Sequence, residues 1–132
     1  MKRKDIINYI TETYSAEEEH PFMQYPDFAV FRHANNKKWF AVIMNITKNK
    51  LGLKDDGQID IMNLKCDPVM TGSLRNDCGI FPAYHMSKTN WISVSLDGSV
   101  DDDKIKWLLD LSFDLTSKKT KSRQKEKSEM IK

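Results

Sequence analysis

This 132-residue chain predicts an α+β fold: an antiparallel sheet of about five strands with helices packed on one face. Three observations carry the prediction. Segments with helical apolar spacing stand near the two ends of the chain. Between them lie five short stretches rich in β-branched and aromatic residues. All but one of the links joining those stretches are short, as between antiparallel neighbours and not parallel crossovers.

From Lys4 to Tyr14, residues Ile6, Ile7, Ile10 and Tyr14 recur at helical spacing, with Lys4, Asn8, Thr11 and Glu12 on other sides. An amphipathic first helix is expected there. The acid-rich SAEEEHPFMQYPDF carries two prolines and reads as a surface loop, anchored to the body by Phe22, Met23 and Tyr25. FAVFRH and KWFAVIMNI are two strands around a tight turn, ANNK. The second is apolar on both parities: Phe40, Val42, Met44 and Ile46 alternate with Trp39, Ala41 and Ile43. Such a strand is central, with its outer face partly covered.

A polar loop with Gly52, Asp55, Asp56 and Gly57 leads to a third strand, QIDIMNLK. CDPVMTGSLRNDCG is a short helix, with Asp67 as N-cap, Pro68 in the first turn and Gly79 as the stop. Two strands follow, and then a last helix in LDGSVDDDKIKWLLDLSFDL. Its start is marked by a cap at Asp101, by Val100 stapled onto Ile105, and by Asp102 and Asp103 at the positive end of the helix dipole. Ile105, Leu108, Leu109, Ser112 and Phe113 make its buried stripe, and Trp39 and Trp107 are expected in the core. The element order is α-β-β-β-α-β-β-α, one domain over residues 1–116, with a basic, disordered tail over 117–132.

The fourth and fifth strands are expected to form a hairpin within PAYHMSKTNWISVSL, residues 82–96. Ile92, Val94 and Leu96 alternate with Trp91, Ser93 and Ser95, so the first set faces the core and the second faces outward. A three-residue loop, Lys88-Thr89-Asn90, keeps both faces consistent by pairing Met86 with Ile92 and Tyr84 with Val94. Asn90 supplies the left-handed backbone that such a loop needs. His85, Trp91 and Ser93 then share the outer face, with Lys88 at the turn.

Composition narrows the function classes. Hydrophobic residues make up 39% and charged residues 30%, and the longest apolar run, WFAVIM, is far short of the ~20 residues of a membrane helix. The N-terminus mixes Asp5, Asn8, Thr11 and Glu12 into what a signal peptide would keep apolar, so a cytoplasmic protein with no membrane partner is expected. Cys66 and Cys78 flank a helical segment and read as two free thiols, and His20, His33 and His85 show no metal-ligand spacing with them. Cys66, Asp67 and His85 hold the residue types of a nucleophilic triad, but nothing in the sequence places Cys66 near His85. No phosphate-binding loop, dinucleotide fingerprint, serine elbow or zinc-protease motif occurs, so neither catalysis nor a cofactor is expected.

Charge is unevenly spread. Residues 117–132 hold seven Lys or Arg against two Glu, whereas the remaining 116 residues hold 14 basic and 17 acidic groups. Within that mildly acidic body, Arg32, His33, Lys37 and Lys38 cluster at the first hairpin, and His85, Lys88 and Trp91 at the second. Cations interleaved with aromatic rings suit a nucleic-acid surface, with two hairpin tips as wings. The competing reading is a module for a small anionic ligand or a protein partner, with Arg32, Lys65, His85 and Trp91 converging on one pocket.

The segments FAVFRHANNKKWFAVIM, DIMNLKCDP and PAYHMSKTNWISVSLDGSV, in this order, resemble the YjbR/MmcQ family of small bacterial proteins over about Tyr25 to Leu115. The tightest part is PAYHMSKTNW, with its proline, tyrosine-histidine pair, lysine and tryptophan. The resemblance implies a frataxin-like α+β fold and a suggested DNA-binding role through a double-wing surface. Carried onto this chain, its motif positions are Arg32, Lys38, Lys65, Tyr84, His85, Lys88 and Trp91. It does not bring iron binding with it, since Asp5 and Glu12 are the only carboxylates of the expected first helix.

Overall fold

The computed structural model describes residues 1–117. Its elements follow the expected order: α1 (Arg3–Tyr14), β1 (Ala29–Arg32), β2 (Trp39–Thr47), β3 (Gln58–Lys65), α2 (Pro68–Leu74), β4 (Ile80–Pro82), β5 (Trp91–Ser95) and α3 (Asp102–Ser117). A single 3-10 turn, Lys48–Leu51, is added after β2. The five strands form one sheet in the order β1-β2-β3-β5-β4, and every pairing is antiparallel. α3 runs through Ser117, one residue into the stretch assigned to the tail. The rest of that tail, 118–132, lies outside the described residues.

The two faces of the sheet follow from its rungs. Phe31, Ala41, Leu64 and Ile92 make one rung, and Ala29, Ile43, Met62, Val94 and Ile80 the next, all on the same side. Against them pack Ile6 and Ile10 of α1, Leu74 of α2, and Ile105, Leu108 and Leu109 of α3. All three helices therefore cover one face, where burial of their apolar stripes is the main stabilising term. Buried Ser112 stitches α3 to the sheet: its hydroxyl donates to the Phe40 carbonyl at 2.6 Å and accepts from the Lys65 amide at 2.8 Å.

On the opposite face, Val30, Val42, Met44, Ile46, Ile59 and Ile61 form a second buried cluster. No helix covers it. Phe22 and Phe28 of the long first loop, Leu51 and Tyr84 close over it instead. The first loop is also tied to β1 by reciprocal backbone bonds between Glu19 and Val30.

Several local expectations are corrected. β2 carries a bulge: Phe31 faces Ala41 and Arg32 faces Trp39, so Phe40 is the extra residue. Phe40 thereby turns to the helix side, 5.4 Å from the Tyr14 ring and 5.0 Å from Phe113, while Trp39 turns to the loop-covered side and packs edge-on against Phe22. α2 ends at Leu74, well before Gly79, because turns over residues 75–79 redirect the chain into β4. Gly79 has φ +83°, but as the entry to β4 and not as a helix stop. Trp107 lies on the outer side of α3 and is 46% exposed, so it is not a core residue. Met23 is 96% exposed and anchors nothing; in that loop Phe22 and Phe28 hold the sheet.

Candidate functional site

The fourth and fifth strands depart most from expectation. β4 pairs with β5 as Ile80–Val94, Phe81–Ser93 and Pro82–Ile92, four residues out of the expected register. What lies between is a connection of residues 83–90, not a three-residue loop. Its left-handed residue is His85, φ 62°, and not Asn90. The physical reason is visible in the rung Val30-Val42-Asn63-Ser93-Phe81. Asn63 and Ser93 are fully buried polar residues and need partners. They find them in the folded-back connection. Ser93 Oγ donates to Asn63 Oδ1 at 2.5 Å and accepts from the Tyr84 amide at 2.9 Å; Asn63 Nδ2 donates to the Tyr84 carbonyl at 2.8 Å. Side chains thus bind the Tyr84 backbone as a further strand would. Ser93 and Ser95 do point away from the helices, but the covering segments bury them.

That clamp builds a cleft of about 280 Å³ on the loop-covered face. Its walls are the rings of Phe22, Tyr25, Phe28, Trp39 and Tyr84, its floor Val42 and Met44, and its rim His85 and Met86. Tyr25 stacks on Phe28 at 4.8 Å and is still 54% exposed. His85 lies against Tyr84 with ring centroids 4.0 Å apart.

A second, shallower cleft adjoins it across Trp39, lined also by Lys38, Lys65, Trp91, Leu115 and Thr116. Lys65 Nζ lies 5.6 Å from the Trp91 ring centroid, a cation–π contact. A third groups Glu17, Glu19, Arg32, His33 and Lys37. There Arg32 pairs with Glu19 at 3.0 Å, and its buried Nε has no acceptor among the described residues.

The expected site residues are therefore divided. Lys38, Lys65 and Trp91 come together; Tyr84 and His85 belong to the aromatic cleft; Arg32 and Lys37 lie on an acidic flank. Arg32, Lys65 and His85 do not converge on one pocket, and His85, Trp91 and Ser93 do not share one patch. Lys88 Nζ donates to the Ala83 carbonyl at 3.0 Å, so it braces its own connection. Sequence reasoning does not find Phe22 and Phe28 as cleft walls or Met44 as part of its floor; the aromatic density of PFMQYPDF is the signal for the two rings.

Position along the strands matters more than the hairpin shapes. Arg32, Trp39, Lys65, Trp91 and Pro82 are the strand residues at one end of the sheet. Lys37, Lys38 and Lys88 lie in the connections leaving that same end. The edge strands β1 and β4 are four strand spacings apart, about 19 Å at ~4.8 Å each. The opposite end collects Asp55, Asp56, Asp97, Asp101, Asp102 and Asp103, together with Lys48, Lys50 and Lys54 of the β2–β3 connection, where Lys48 pairs with Asp55. Those six aspartates outnumber the three lysines beside them, so the acidic excess of the body sits at that end. Among the described residues Lys37, Lys38, Lys65 and Lys88 form no ion pair.

Two buried titratable groups flank this end. The His33 ring is held below its ordinary pKa by burial and by the Lys38 charge, with a Phe113 carbonyl opposing. Its Nε2 is 2.8 Å from Thr116 Oγ1, whose own proton goes to the Ser112 carbonyl, so His33 donates. Burial pushes the Cys66 thiol up, with the Asp67 charge adding to it. A thiol kept protonated is a weak nucleophile. Asp67 is the N-cap of α2, its carboxylate accepting from the Val69 amide at 2.9 Å. Among the described residues no group of three His, Cys, Asp or Glu is placed to hold a metal ion, and no helix is long and apolar enough to cross a membrane.

Comparison with known proteins agrees with this architecture. An uncharacterized Bacillus subtilis protein, YyaQ, is 43% identical over 116 residues, 88% of this chain and 98% of that protein. The uncharacterized Escherichia coli protein YjbR is 36% identical over 53 residues, 39% of this chain and 45% of its own length. The crystal structure of a Pseudomonas syringae protein superposes with a TM-score of 0.87 at 43% identity, covering 88% of this chain and 99% of that one. A Deinococcus radiodurans protein shares the fold at a TM-score of 0.69 and 24% identity, over 92% of this chain and 83% of that one. The YjbR family model matches residues 11–115, a span that takes in the aromatic cleft, the second cleft apart from Thr116, and the lysine-bearing end of the sheet, and the chain belongs to that family.

Proposed function

We propose that this chain is a DNA-binding module whose contact surface is the lysine-bearing end of the sheet. Lys38 and Lys65 contact phosphates beside Trp91, and Lys37 and Lys88 flank them from the two edge connections. What supports this reading is one observation: four lysines without ion pairs among the described residues gather at one end of an otherwise acidic body. Such an uneven charge distribution orients the lysine-bearing end toward a polyanion. Arg32 acts indirectly, by holding the first loop through Glu19. Tyr84 and His85 form the wall next to the surface.

Fluorescence anisotropy with labelled duplex and single-stranded DNA tests the proposal, on the full chain and on a chain ending at Ser117, across a salt series. Lys38→Ala with Lys65→Ala should weaken binding in both forms and lower the salt slope by about 0.9 per lost duplex phosphate contact. An unchanged slope, or binding that disappears entirely with residues 118–132, would refute a role for this end of the fold.

A further inference from the structure

The aromatic cleft has no part in packing the helices, yet its rings stay open to solvent. We infer that it seats one unpaired nucleobase, whose phosphate lies over Lys38 and Lys65 on the other side of Trp39. The inference rests on the DNA-binding reading above and names the form of nucleic acid that this end takes.

Three features carry it. A cleft of about 280 Å³ falls just short of the roughly 300–1,000 Å³ of drug-sized sites, which is room for one ring system. Its lining is almost wholly ring and aliphatic carbon, so water held there makes few hydrogen bonds and is readily displaced. Trp39 lines both this cleft and the one holding Lys38 and Lys65, so a ring in the first comes with cations beside it. A hydrocarbon would use the rings and leave the lysines idle; a free anion would do the reverse. A flat ring joined to a phosphate uses both.

The base would enter with its faces against aromatic carbon, leaving its polar edge at the rim beside His85. Stacking of this kind tolerates any base, because every base has a π face. His85 holds the rim by a left-handed backbone, and the Asn63–Ser93 clamp fixes Tyr84 beside it. A base still paired in a duplex cannot reach the cleft, so single strands or frayed ends are preferred over intact duplex.

The test uses the full chain with methyl-labelled methionine. Met44 reports the floor of the cleft and Met86 its rim, and Met23, 96% exposed, is the control. Three probes are titrated: a thymidine oligonucleotide, an abasic strand of equal length and charge, and thymidine monophosphate alone. The oligonucleotide should shift the Met44 and Met86 methyls and leave Met23 in place. The abasic strand should bind about 5- to 150-fold more weakly and leave both methyls unmoved. Tyr25→Ala, at a position more than half exposed, should reproduce that loss without unfolding the chain.

Equal binding of the two strands with unmoved methyls overturns the seat, and leaves the lysine surface standing if Lys38→Ala still weakens binding. If neither strand binds but thymidine monophosphate moves Met44 and Met86, the cleft takes the free nucleotide and the strand reading fails. If no probe binds, both fall.

Discussion

Ser93→Ala removes a single oxygen that two groups share. The Tyr84 amide donates to it, it donates to Asn63 Oδ1, and Asn63 in turn holds the Tyr84 carbonyl. Without it, one amide and one fully buried amide oxygen lose their partner together. An unsatisfied buried polar group costs about 1–3 kcal/mol, the lower end for the half-buried Tyr84 and the upper for Asn63. A total of about 2–4 kcal/mol is expected, or roughly 8–15 °C in Tm for a domain of this size. Urea unfolding followed by tryptophan fluorescence measures the total, and amide exchange at Tyr84 reads the local opening. Asn63→Leu closes a double-mutant cycle. With both side chains apolar, the pair should cost less than the two single losses added together. A Ser93→Ala protein within about 0.5 kcal/mol of its parent, with Tyr84 exchange unchanged, would refute the clamp.

Two further outcomes follow from the same geometry. Gly79→Ala places a Cβ 2.6 Å from a Val100 methyl and 2.9 Å from Ser99 Cβ at φ +83°, so left-handed strain and overlap should together cost about 2–5 kcal/mol in denaturant unfolding. His33 is buried with its pKa lowered, so the unfolded chain, near ~6.5, takes up the proton first. Its contribution stands in full above that pH and is lost as pH falls through the folded value. Thermal midpoints measured from pH 8 to 5 should therefore fall more steeply than in His33→Gln.

How much of this was legible depends on which residues made the decision. α1 and α3 follow from periodicity, because about one residue in three had to face a core, and the bounds of β3 coincide with QIDIMNLK. Asp67 and Pro68 mark the start of α2 because caps act locally. The β2 bulge was not legible: Trp39 and Phe40 are both large and aromatic, and only the partner strand decides which turns inward. The connection 83–90 was hidden for a related reason. Alternation puts Ser93 and Trp91 on the side away from Ile92, where a polar residue reads as solvent-exposed. Asn63, 30 residues away on β3, turns Ser93 from a surface serine into a buried anchor.

The candidate site was least legible of all because it is made by substitution. Side chains of β3 and β5 bind the Tyr84 backbone where a strand's own backbone would ordinarily do so. That frees residues 83–90 from the pleat, and with it the rule that neighbouring side chains alternate. Tyr84 and His85 can then turn toward Phe22 and Trp39 instead of toward opposite faces. The same release separates His85 from Trp91, which strict pairing would have placed diagonally across the hairpin. Two clefts on either side of Trp39 result, one aromatic and one cationic, in place of a single mixed patch.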